Sequence, residues 1–153
     1  MLVSLDNIQY DLALLRHVIY YFAKDEWISI ANRLYENLAP GGKLIFTYHR
    51  YDGQVLNLIE HFGEKPLLDF CTFEKDCEMH FGEDKVKLYF TTSSVVASYP
   101  EDMAHMCSIF FSDNNMLVPS VDVIKIIKNW YVPDRDLYVL QMCDASLVIS
   151  KPL

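Results

Sequence analysis

Residues 10–22 read Tyr10-Asp11-Leu12-Ala13-Leu14-Leu15-Arg16-His17-Val18-Ile19-Tyr20-Tyr21-Phe22, and residues 37–46 read Asn37-Leu38-Ala39-Pro40-Gly41-Gly42-Lys43-Leu44-Ile45-Phe46. In the first stretch an acid opens an apolar run that charged groups close. Continuous rather than alternating apolarity predicts a strand buried on both faces, as in a parallel sheet. Between the two stretches, Trp27, Ala31, Leu34 and Leu38 recur at helical spacing with Ile28 and Tyr35 beside them, one apolar face of a helix over about 24–38. Asp25 and Glu26 fall in its first turn, where the helix dipole favours negative charge. Pro40-Gly41-Gly42 is read as its stop, and Lys43–Tyr48 as a second strand. A further helix carrying Val55, Leu56, Ile59 and Phe62 is expected from an Asp52 N-cap to Gly63. Strand, helix, strand, helix with short connections is the pattern of a parallel α/β sheet with right-handed crossovers.

The second half is less regular. Glu78–Phe81 and Lys85–Phe90 around Gly82-Glu83-Asp84 suggest a hairpin, and Ser93–Tyr99 a short helix before Pro100. Residues 105–111 fit a helix or a strand, and the strand is the reading taken. Ser120 is a plausible cap for a helix with Val121, Ile124, Ile127 and Tyr131. The end, Leu137–Met142 and Ala145–Ser150, reads as strand interrupted at Asp144. No shift in composition marks a boundary, so the expectation is one domain over 1–153.

The two opening stretches, in this order and joined by this helix, resemble the class I S-adenosylmethionine-dependent methyltransferases. In that family an acid opens the fourth strand and the fifth follows a Leu-x-Pro-Gly-Gly turn. The resemblance is firm over about the first 50 residues and thin beyond. It implies an α/β fold: the C-terminal portion of a Rossmann-like methyltransferase fold, a mixed sheet with flanking helices. The family binds its cofactor with the first half of the fold, through a glycine-rich loop after strand one and an acid after strand two. The five glycines here, Gly41, Gly42, Gly53, Gly63 and Gly82, form no G-x-G set after a strand. The resemblance therefore implies a chain whose first three family strands are missing, and whose S-adenosylmethionine binding on its own is in doubt.

Ligands of open α/β sheets sit outside the carboxyl ends of the strands. Arg16, His17, Tyr20 and Tyr21 follow the first predicted strand; Tyr48, His49 and Arg50 close the second. By the resemblance, Arg16 and His17 line the cofactor–substrate crevice, and Tyr20, Tyr21, Tyr48 and His49 face a small-molecule acceptor. His17 is the candidate to orient or deprotonate a nucleophile, since an imidazole titrates near neutrality. The plainer alternative stands beside this: Arg16 and His17 satisfying loop carbonyls, the aromatics in the core. Asp11 reads most simply as a polar end to the strand.

Composition narrows the class. In 153 residues, Lys and Arg number 13 and Asp and Glu 21, a formal charge of −8, with 52% hydrophobic and 14% aromatic residues. That excludes a disordered chain and argues against a nucleic-acid grip, which wants a basic face. No apolar run reaches the roughly 20 residues of a membrane span. The N-terminus lacks the pattern of a signal peptide, and the irregularly spaced Cys71, Cys77, Cys107 and Cys143 suggest reduced thiols; the expectation is a cytoplasmic protein. Cys71, Cys77 and His80 match no standard zinc spacing, and no metal is expected. The expected function is the C-terminal part of a methyltransferase acting on a small molecule, the alternative a non-catalytic module that pairs with another chain. Without the first three strands, strand one becomes an apolar sheet edge, which invites a dimer, an N-terminal partner chain, or cover by Leu2–Leu5.

Overall fold

The computed structural model describes residues 8–50, 53–62, 70–113 and 120–153. Its strands are β1 (Tyr10–Arg16), β2 (Leu38–His49), β3 (Val86–Ala97), β4 (Tyr131–Val132) and β5 (Leu137–Ser150). Its helices are α1 (Trp27–Glu36), α2 (Gln54–His61), α3 (Phe70–Phe81), α4 (Pro100–Asp113) and α5 (Ser120–Ile127). The strands form one sheet in the order β1-β2-β5-β3, with the two-residue β4 also on β5. β1 and β2 are parallel, with Ala13 beside Leu44 and Leu15 beside Phe46. Partners fall along β5 as they rise along β2: Lys151 binds Gly42, Ser146 meets Thr47, and Cys143 binds Arg50, so β5 runs antiparallel to β2. The fold is α/β, a mixed sheet with flanking helices.

The chain divides into two compact units: Met1–Tyr48, Leu68–Thr91 and Ala145–Leu153 in the first, His49–Leu67 and Thr92–Asp144 in the second. The first is built on Ile19, Trp27, Ala31, Leu44, Phe46, Tyr48, Phe73, Cys77 and Leu147, with α1 packed on α3. Phe73 takes Trp27 and Phe46 edge-on, with ring centres 5.2 and 5.3 Å away, the favoured aromatic geometry. The second has its own core of Val55, Leu58, Met103, Cys107, Val123, Ile127 and Leu140, in which α4 packs on α5 and α2.

Several expectations are corrected. β1 is not buried on both faces: Leu12 and Leu14 are 56% and 57% exposed, while Ala13 and Leu15 pack on the first core. β1 ends the sheet among the described residues, and the face that carries Leu12 and Leu14 is open to solvent. The Pro40-Gly41-Gly42 turn does not stop α1, which ends at Glu36. Leu38 is already paired with Tyr10, and Lys43 is the next residue of β2 opposite β1, beside Leu12; the turn is an irregularity inside β2. The Glu36 carbonyl at the end of α1 is satisfied instead by Lys151, whose Nζ donates to it at 2.9 Å and to Leu38 O, at the start of β2, at 2.7 Å.

Glu78–Phe81 is not a hairpin strand but the last turn of α3, which Gly82 closes with φ +99° and an N–H donated to Glu78 O. Ser93–Tyr99 is not a helix: the β-branched run Thr91-Thr92 and Val95-Val96 keeps residues 93–97 in β3, which ends at Ala97. Residues 105–111 lie in α4, behind Pro100 as first residue and with Glu101 and Asp102 in the first turn. β5 continues unbroken through Asp144. The Asp52 cap and the Gly63 stop lie outside the described residues; α2 begins after Gly53. Among the described residues no helix is long and apolar enough to cross a membrane.

Candidate functional site

β2 closes on His49, and the N–H of the next residue, Arg50, donates to Cys143 O at 2.8 Å. That bond fixes the register, so His49 stands directly across from Asp144 on β5. Their side chains lie on one face of the pair, and His49 Nδ1 donates to Asp144 Oδ1 at 2.8 Å. Both residues are buried, 9% and 5% exposed. A carboxylate this deep is tolerated only with a partner, and a charge-assisted bond supplies one. Two residues back along β2, Thr47 meets Ser146 with their hydroxyl oxygens 3.1 Å apart. Gly53 N–H donates to Arg50 O, which turns the chain from β2 toward α2. A Cβ on Gly53 would stand 3.4 Å from Cys143 Cβ, so the turn packs closely on β5.

The chemistry of the pair follows from the ring. With Nδ1–H held by a carboxylate, the neutral imidazole carries its lone pair on Nε2, and the ring is fixed in tautomer and orientation. A histidine held in this way is suited to accepting a proton from a nucleophile.

The other sequence-derived residues are placed as follows. His17 follows β1, donates its N–H to Thr47 O at 2.8 Å, and adopts a left-handed backbone with φ +52°. Only glycine takes that region without cost, so the surroundings hold His17 there. Its ring stacks on Tyr20, centres 6.3 Å apart, with Nδ1 3.4 Å from the Tyr20 hydroxyl. Arg16 and Tyr21 are exposed and Tyr20 is half-buried. Tyr48 lies in the first core, 1% exposed, and donates its hydroxyl to Glu74 on α3 at 2.6 Å. Burial, and then that bond, push its phenol well above the ordinary range. Asp11 is exposed. The structure brings His17 and Tyr20 together in the first unit, and His49 with Asp144 in the second. Asp144 is the residue that sequence reasoning passed over. Its signal was present: an acid inside the otherwise apolar run Leu137–Ser150.

No protein-family model matches this sequence, and no curated protein matches it. Among solved structures, the crystal structure of a "putative methyltransferase" from Bacillus halodurans C-125 is similar at 13% identity with a TM-score of 0.48. The similarity covers 95% of this chain and 65% of the other, so this chain spans less than two thirds of that protein.

An S-adenosylmethionine cradle needs successive backbone N–H groups bared to the cofactor. Gly41 and Gly42 lie within β2, Gly53 leads into α2 and Gly82 ends α3. Gly53 is the residue before α2 in the connection from β2, and it forms no G-x-G set with another glycine.

Proposed function

We propose that this chain is the C-terminal part of an S-adenosylmethionine-dependent methyltransferase acting on a small molecule, and that it needs further strands to bind the cofactor. The observation that carries the reading is the β1–α1–β2 unit. The two sequence stretches that resemble the family form adjacent parallel strands, and β2 ends in the histidine that Asp144 holds. In this reading His49 takes the proton of the methyl acceptor as the methyl group is transferred. Arg16, His17, Tyr20 and Tyr21, just past the end of β1, serve binding, and Tyr48 shapes the wall as a core residue. The reduced thiols fit a cytoplasmic protein. A second reading, a non-catalytic module that pairs with another chain, draws support from the bare leucines of β1. In either case the outer edge of β1 is the place where a missing strand adds.

The test begins with the reading frame upstream of Met1. The expected finding is a strand, a glycine-rich loop and a helix there. Calorimetric titration of the 153-residue chain should show no saturable S-adenosylmethionine binding, and the chain extended by that segment should bind at micromolar concentration. Micromolar binding by the unextended chain would overturn its incompleteness. An extended chain that stays silent to the cofactor would overturn the enzyme in favour of the module.

A further inference from the structure

No further inference is drawn: the strongest candidate, the open face of β1 on which Leu12 and Leu14 are exposed, is an apolar face unpartnered among the described residues, and nothing in the structure shows what covers it.

Discussion

Asp144 shows how much one side chain settles. A carboxylate at 5% exposure is excluded from an apolar strand unless something stabilises it, and His49 does so at 2.8 Å. Neither residue explains its own position. His49 at the end of β2 is legible as a residue past a strand's carboxyl end. Asp144 taken alone looks like a break in β5, because its partner lies 95 residues away in sequence. Removing one partner takes a charge-assisted bond from a group that stays buried. Asp144→Ala is therefore expected to destabilise the protein by about 3 kcal/mol, read as a lowered urea midpoint. Replacing both, with His49→Leu and Asp144→Leu, should cost less than the two single substitutions together, because the bond between them is then lost once rather than counted twice. A double variant whose loss equals that of the single ones added would show that the pair is not coupled.

At the scale of elements, the Pro40-Gly41-Gly42 turn has a different task from the one its sequence suggests. Gly41 sits at φ +80° and donates its N–H toward Lys151 O and Pro152 O, both at 3.1 Å. A Cβ on Gly42 would lie 2.8 Å from Ala39 O and 3.1 Å from Asp11 O, both backbone atoms with little room to move. The turn therefore lets β2 shift register against β1 while the C-terminal segment docks on it. Gly42→Ala is expected to cost about 2 kcal/mol or more, since backbone must shift. Gly41→Ala should cost about 1 kcal/mol, for the left-handed backbone. Thermal melting of the two variants should rank Gly42→Ala lower; the reverse order would mean that Gly42 is not pressed between those carbonyls. The elements that were legible, β1, α1 and β2, have one periodicity each. Those misread carry two. Met103, Met106 and Cys107 fit a helix, while His105–Phe111 before a polar turn also fits a strand, and the packing of α4 on α5 decides. Gly82 was legible as a break, but a glycine that ends a helix and a glycine that turns a hairpin look alike in sequence. The exposure of Leu12 and Leu14 was not legible at all, because a sequence states which residues are apolar and not which layers exist to cover them.

For the whole molecule, both cores hold groups that must stay neutral. In the first, burial and then the nearby Asp76, Glu74 and Glu78 push the Cys77 thiol up to about 12, and the buried Tyr48 phenol is raised beside Glu74. In the second, burial pushes Cys107 up to about 11. An unfolded cysteine loses its proton near 9. Below that pH both states keep the thiol neutral, and the stability contributed by the raised groups is fully present. Above it the unfolded chain ionises while the folded chain does not, so the unfolded state binds fewer protons and stability falls. The loss continues until the pH passes the folded values. The melting temperature should therefore hold steady up to about pH 9 and decline from there toward pH 12, through both cores. The total is on the order of a few kcal/mol, because each tenfold difference in proton affinity between the folded and unfolded thiol is worth about 1.4 kcal/mol. Cys77→Ala and Cys107→Ala each lose packing and start from a lower melting temperature, but each should descend less steeply above that pH, Cys77→Ala the less steeply of the two. Native-state labelling at neutral pH gives a second measure of the same groups: Cys71, exposed on α3, should react with a thiol reagent at once, and Cys77 and Cys107 only on unfolding. A melting temperature flat to about pH 11, or prompt labelling of either buried thiol, would mean that the cores admit water where these side chains lie.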